Sequence, residues 1–449
     1  MVQEMSRVLD PSGTSIVSSS ARVKIAEKVQ GVDWSLLMGS AWLSVGSAVA
    51  RVLGLCVSLM LAAAFSASDF GVIRYGIALA SIVAMGTQPF GQHVIARFVG
   101  RNRGAPAKID ASLSNLFFIL PIVFAVSFLF AVPVLRYLGT FNIGIMVIFA
   151  GQTLFYTYWG LSSGFLEPRR LTAAYLGSNL CQIMLVFLLI QQLGIKSPTA
   201  AFLVYGLSYV LPVTLLGVWW PLPGKAKRHL IQGKAIAELL RFSVPIWISH
   251  SCYVVGSSMD LLILQRNVSS AELGAYSLSK TLATVFAFVP EGIATLLMPK
   301  VAASAKQAHR QILSRMLVAS LLVNGVVLVT YLPVVRPFTA RIFGADYLVF
   351  LSVSILLALG MIASGMHSMI TAVFVGSGKP GAESISRIMD LAATSLGCWF
   401  LISHHGGLGA AISMLMGKIA ALVTYGVMQL KVARVGSLGL TCLPVADRK

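Results

Sequence analysis

Residues Ser44–Gly71 read SVGSAVARVLGLCVSLMLAAAFSASDFG. From Val45 to Phe65 the run is apolar apart from small residues and one charge, Arg51. A bilayer-crossing helix needs about 20 such residues, because only a helix satisfies every backbone N–H and C=O away from water. Ser66-Ala67-Ser68 breaks the run, and Asp69 opens a second apolar stretch, where an acidic side chain favours the helix dipole. The stretch therefore predicts two membrane helices joined by a short turn. The pattern returns in Ser251–Gly274, SCYVVGSSMDLLILQRNVSSAELG, with Ser269-Ser270-Ala271 before Glu272-Leu273-Gly274.

The rest of the chain follows this signature. Of 449 residues, 57% are hydrophobic and 11% charged, against about 25% charged in soluble domains. Apolar segments lie near 36–65, 69–95, 110–133, 141–165, 171–193, 198–219, 236–265, 270–299, 311–333, 347–375, 382–403 and 407–430. Pro106, Pro168, Pro198, Pro221, Pro223 and Pro380 punctuate the separators. The expected fold is an all-α integral membrane protein of about twelve transmembrane helices in two pseudo-symmetric six-helix bundles. The expected organisation is a cytoplasmic tail (1–33), an N-terminal lobe (34–220), a cytoplasmic linker (221–235), a C-terminal lobe (236–431) and a cytoplasmic tail (432–449). No apolar run follows Met1, so a cleaved secretion signal is not expected.

Charge sets the expected orientation. The formal net charge is +19, yet the basic residues do not gather with aromatics on a soluble face, which argues against nucleic acid. They concentrate in the two tails and in alternate connections. The opposite connections hold only Arg136, Lys196, Arg266, Arg336 and Arg341. By the positive-inside rule both termini lie in the cytoplasm and the chain sits in a cell inner membrane.

The two halves resemble each other beyond the Asp-Phe-Gly and Glu-Leu-Gly openings. Each opening is followed by a proline some twenty residues on, Pro89 and Pro290, and Phe165-Leu166-Glu167-Pro168-Arg169 stands beside Phe374-Val375-Gly376-Ser377-Gly378-Lys379. With six segments per copy the repeat is parallel, which would enclose a site near the midplane.

Polar stripes mark that site. At 100° per residue, Ser40, Ser44, Ser47, Arg51 and Ser58 share a face about 60° wide in the first segment. Arg74, Ser81, Gln88 and Gln92 line the second, His250, Tyr253, Ser257 and Asp260 the seventh, and Ser277, Lys280, Thr281, Thr284 and Glu291 the eighth. Such stripes face protein or a water-filled cavity, since lipid would leave them unsatisfied. Arg51 lies about 23 Å along its helix and Lys280 about 15 Å, both too deep to reach the surface easily. Arg51 either lines a cavity or closes an ion pair with Asp260 or Glu291. Glu383, Arg387 and Asp390, spaced i, i+4, i+7, suggest an internal salt-bridge network.

The first six segments carry no acidic residue away from their ends but do carry Arg51 and Arg74. Arginine suits phosphate because its planar fork donates paired hydrogen bonds. Expected substrate contacts are therefore Arg51, Arg74, Lys280, Ser47, Gln88 and Ser277, with Asp260, Glu291 and His250 as ion-coupling candidates. His93 and His367 read as hydrogen-bonded packing residues. No phosphate-binding loop, metal cluster or nucleophile–base constellation appears, and Cys56, Cys181, Cys252, Cys398 and Cys442 are scattered. Neither an enzyme nor a metal or cofactor is expected.

The run Gly39-Ser40-Ala41-Trp42 … Arg51-Val52-Leu53-Gly54-Leu55 … Asp69-Phe70-Gly71 … Gly91 … Arg97 resembles the start of the polysaccharide flippase (Wzx-like) family of the multidrug/oligosaccharidyl-lipid/polysaccharide exporter superfamily. Pro245, Asp260, Leu273-Gly274-Ala275-Tyr276 and Leu297-Met298-Pro299 are similar in the second half. The resemblance spans about residues 35–430. It implies two lobes that alternate around a cationic cavity between segments 1, 2, 7 and 8. The implied cargo is a polyprenyl-pyrophosphate-linked oligosaccharide for surface polysaccharide (O-antigen, capsule or exopolysaccharide, hence lipopolysaccharide assembly). The implied surroundings are membrane lipids, a polysaccharide polymerase and chain-length or export proteins. The alternative is an ion-coupled multidrug or cation antiporter of the same superfamily, which would need membrane-buried carboxylates. A peptidoglycan-precursor flippase would have fourteen spans. A polymerase would show a long extracytoplasmic loop, and a major-facilitator transporter an acidic residue in Gly100-Arg101-Asn102-Arg103-Gly104.

Overall fold

The computed structural model describes residues 34–88, 95, 121–129, 132–133, 135–136, 142–164, 167–218, 233–302, 306–348, 351–377 and 381–437. The architecture is all-helical. In chain order the helices are α1 Trp34–Ala64, α2 Ala67–Ala84, α3 Ile143–Gly164, α4 Pro168–Leu185, α5 Pro198–Val218, α6 Gly233–Asn267, α7 Ser270–Ala283, α8 Val285–Ala302, α9 Lys306–Phe343, α10 Ser354–Gly376 and α11 Gly381–Ser437. Among the described residues, 7 helices are long and apolar enough to cross a membrane. The chain is thus a multi-pass membrane protein. The N-terminal tail, residues 438–449 and most of the third segment, 110–133, lie outside the described residues. Within that segment residues 121–129 are helical, and Phe124 stacks on Phe149 of α3 with ring centroids 4.7 Å apart.

Several boundaries differ from the sequence expectation. The linker assigned to 221–235 already enters α6 at Gly233, and α11 continues past residue 431 to Ser437. The tenth segment starts at Ser354, because residues 345–348 and 351–353 form short 3-10 turns. α4 ends in a π-helical stretch, Val186–Gln192. α11 holds the last two predicted segments. At Gly406 the backbone leaves helical geometry (φ 52°, ψ −129°), a left-handed conformation that glycine adopts without a Cβ clash. The chain doubles back there: Gly397 lies against Ser413, and Gly417 against Thr394 and Asp390.

The internal repeat is built into the fold. Ser66 and Ser269 occupy equivalent N-caps, and their hydroxyls accept from the backbone N–H of Asp69 (3.1 Å) and Glu272 (3.2 Å). Each cap satisfies an otherwise orphaned N–H. Both helices then break, two residues before Pro89 in the first half and six before Pro290 in the second. Tight backbone bonds run from Thr87 N to Ala84 O (3.0 Å) and from Thr284 N to Thr281 O (3.1 Å). The Thr87 and Thr284 hydroxyls bond back to those carbonyls at 3.1 and 2.6 Å, a contact that bends helices.

Helices of the first half pack mainly on one another, α1 on α4 and α3 on α5. In the second half α6 packs on α11, and α8 on α10. The main seam joins the start of α2 to the start of α7. There the backbones touch at Gly71 and Gly274. A Cβ on Gly71 would strike the Ser270 carbonyl, and one on Gly274 the Ala67 carbonyl. Around this contact one apolar cluster takes Phe65, Phe70 and Ile73 from the first half and Leu264, Leu273 and Tyr276 from the second. Tyr347 reaches over it from beyond α9, donating from Oη to the Ala62 carbonyl (3.1 Å) and meeting Phe70 edge to face (6.3 Å). We call this end of the bundle the clasped end.

The clasp makes a paired test. Gly274→Ala should lower thermal stability in detergent by about 1–3 kcal/mol, the usual range for overpacking a tight contact. Gly292→Ala, where an added Cβ meets nothing within 4 Å, should leave the melting temperature nearly unchanged.

Candidate functional site

Residues from the predicted stripes meet along the seam at two depths. Nearer the clasped end, within the second half, Lys280 Nζ on α7 donates to both carboxylate oxygens of Asp260 on α6 (2.9 and 2.7 Å) and to the Ser257 carbonyl (2.8 Å). Tyr276 Oη donates to the same carboxylate at 2.7 Å. Asp260 is 1% exposed, so its charge persists only because those donors answer it. α6 and α7 form a tight hairpin at Asn267–Ser270, which places Asp260 one turn from Lys280 across the pair.

Deeper in the bundle, contacts cross between the halves. Arg51 Nη1 on α1 pairs with Glu291 Oε2 on α8 at 2.6 Å, with both side chains about one-third exposed. Of the two partners that the sequence left open for Arg51, the structure selects Glu291. Gln88 lies between the halves. Its Nε2 donates to Gln152 Oε1 of α3 (3.1 Å), and its Oε1 accepts from His250 Nε2 of α6 (2.8 Å). A carboxamide oxygen only accepts, so His250 carries its proton on Nε2. His250 and Asp260 lie ten residues, about 15 Å, apart along α6 and take different partners.

Arg74 stays without an ion pair among the described residues, and its Nε is buried without a hydrogen-bond partner. Ser277 is 1% exposed, and its hydroxyl also lacks a partner. Ser47 is half-buried on α1.

Aromatic side chains flank the deeper contacts. Phe155, Tyr156, Trp159, Tyr175 and Tyr209 form a contiguous cluster in the first half, with Trp159 meeting Tyr175 edge to face at 5.0 Å. The seam thus carries an arginine–glutamate pair and a glutamine–histidine bond between the halves.

Two features escaped the sequence. Lys418, which shares no stripe with other polar residues, forms a buried pair with Asp390 at 2.6 Å across the α11 hairpin. The expected network of Glu383, Arg387 and Asp390 is therefore only partly formed. Arg387 Nε stands 3.9 Å from Glu383, and the guanidinium instead covers the Tyr253 ring at 4.6 Å. Intramembrane acid–base spacing was the available signal, but it could not say which helix supplies each partner. His367 is a packing residue as expected, 1% exposed and bonded to Ser386 Oγ at 2.8 Å. His93 lies outside the described residues. Among the described residues no group of three His, Cys, Asp or Glu is placed to hold a metal ion.

The Lys280–Asp260 pair predicts strong non-additivity. Lys280→Met alone should cost about 3–5 kcal/mol by stranding a buried carboxylate. Lys280→Met combined with Asp260→Leu should recover most of that loss in the thermal unfolding of the purified protein.

No protein-family model and no curated sequence matches this chain. Solved structures do. An inward-facing multidrug-resistance MATE-family transporter of the MOP superfamily aligns over 87% of this chain and 99% of its own, at 15% identity and TM-score 0.68. The lipid II flippase MurJ, in an inward closed conformation, aligns over 87% of each chain at 14% identity and TM-score 0.67. A MOP-superfamily transporter from Pyrococcus furiosus, described as having a binding pocket of reversed polarity, aligns over 90% and 96% at 17% identity and TM-score 0.59. This chain has the helical fold shared by those MOP-superfamily transporters.

Proposed function

We propose that the chain is an alternating-access transporter of twelve spans in two six-helix lobes, 34–220 and 236–431, which rock about the Gly71–Gly274 contact. The tails and the linker face the cytoplasm of a cell inner membrane. The cargo is a polyprenyl-pyrophosphate-linked oligosaccharide, flipped for surface polysaccharide assembly. One observation carries this choice of cargo. The intramembrane carboxylates Asp260, Glu291, Glu383 and Asp390 each lie within 4.0 Å of a lysine or arginine nitrogen. A cation exporter needs a carboxylate free to exchange a proton or ion for its cargo. Here the carboxylates are engaged, while Arg74 keeps unused donor capacity.

The comparisons lean the other way. MATE-type multidrug transporters are more numerous among the similar structures than lipid-linked flippases. They favour the ion-coupled multidrug antiporter, for which Asp260 and Glu291 would be the coupling carboxylates.

Deleting the gene separates the two. A flippase predicts loss of surface polysaccharide together with accumulation of lipid-pyrophosphate-linked oligosaccharide on the cytoplasmic leaflet. An antiporter predicts an unchanged surface and altered sensitivity to lipophilic cationic drugs. For the flippase, Arg51→Ala should remove a charge-assisted contact worth about 1.5–3 kcal/mol, a roughly 10- to 100-fold loss of substrate affinity, at normal abundance in the membrane. Full flipping activity in that variant would refute a role for Arg51 in binding.

A further inference from the structure

At the clasped end a phenol from one half caps a helix of the other. Tyr347 belongs to the second half, in the short 3-10 turn Ala345–Leu348 between α9 and α10. Its Oη donates to the Ala62 carbonyl at 3.1 Å and lies 3.4 Å from the Phe65 carbonyl, both of the first half. Ala62 stands in the last turn of α1, where carbonyls have no helical N–H to accept from. Tyr347 supplies a donor there, and at 3% exposure it does so away from water.

Local features carry the turn across the seam. Gly344 leaves α9 at φ 90°, in the left-handed region, and a Cβ there would meet nothing within 4 Å, so the backbone rather than the space calls for glycine. A relay of edge-to-face rings then runs toward the first half. Phe338 meets Phe343 at 5.9 Å, Phe343 meets Tyr347 at 5.9 Å, and Tyr347 meets Phe70 of α2 at 6.3 Å. The glycine contact and the apolar cluster beneath are non-directional. The phenol bond is directional, and it fixes which turn of α1 the second half rests on. It also holds without locking, because water can take the place of the phenol once the carbonyl is exposed.

We propose that Tyr347 is the catch of the clasped end: its bond to the α1 carbonyl keeps the halves closed there, and its release is a step in opening that side. The catch rests on the rocking of the two halves proposed above, whatever the cargo. It opposes the cross-half contacts on the deeper side, Arg51–Glu291 and Gln88–His250. Weakening one end should therefore favour opening at that end and closure at the other.

The test measures labelling by a water-soluble maleimide on the full chain in lipid nanodiscs, with its own cysteines replaced by alanine. One reporter is Ala67→Cys, buried at the clasp. The other is Ser47→Cys, one turn from Arg51 on α1. Tyr347→Phe keeps the ring and its contact with Phe70. It should speed labelling at the clasp by about 2- to 10-fold, the span that one hydrogen bond supplies, and slow labelling of the deeper reporter. Glu291→Gln should do the reverse. Tyr425→Phe removes a phenol bond to Thr371 (2.8 Å) that lies within the second half, and it should shift neither reporter. If Tyr347→Phe speeds both reporters, or changes neither while Glu291→Gln shifts the two reciprocally, the catch is overturned and the rocking stands. If neither variant gives a reciprocal shift, the rocking is overturned and the catch with it.

Discussion

The close approach of Gly71 and Gly274 is the contact on which the arrangement of the two halves depends. Two membrane helices meet backbone to backbone only where no side chain separates them, and here each glycine faces a carbonyl of the opposite helix. The capping serines three residues before Asp69 and Glu272 set where both helices begin, and so bring the glycines level. The apolar cluster around Phe70, Leu273 and Tyr276 then closes over the contact, and Tyr347 ties the connection between α9 and α10 across it.

From that end the two helices run into the bundle and break at different depths, at Thr87 in the first half and nearer the clasp at Thr284 in the second. At both breaks a threonine hydroxyl bonds to the carbonyl three residues back in its own helix. Beyond or beside these breaks Glu291 faces Arg51, and Gln88 lies between Gln152 and His250.

Charge inside the bundle obeys a single rule: a carboxylate in a low-dielectric interior keeps its charge only beside a cation. Asp260, Glu291 and Asp390 satisfy it in different ways, within a hairpin, across the halves and across the α11 turn. The cross-half pair differs functionally from the others. Lys280–Asp260 and Lys418–Asp390 each lie within the second half, whereas Arg51–Glu291 joins the two halves, which the proposed alternating-access cycle would have to part on their deeper side. Its partial exposure makes it the pair that a soluble charged group can reach.

The sequence by itself determined the membrane class, the repeat, the helix starts and the identity of most polar residues at the seam. These are legible because hydrophobic length, caps and helical periodicity are local properties of the chain. It could not assign partners. Arg51 had Asp260 and Glu291 open to it on equal terms, Lys418 had no visible partner, and Arg387 looked like one member of a single-helix network. Only the tertiary structure decided these. The choice depends on which turn of one helix faces which turn of another, and that follows from kinks, from the glycine contact and from the hairpin at Gly406, all of which act over distances that no local pattern records.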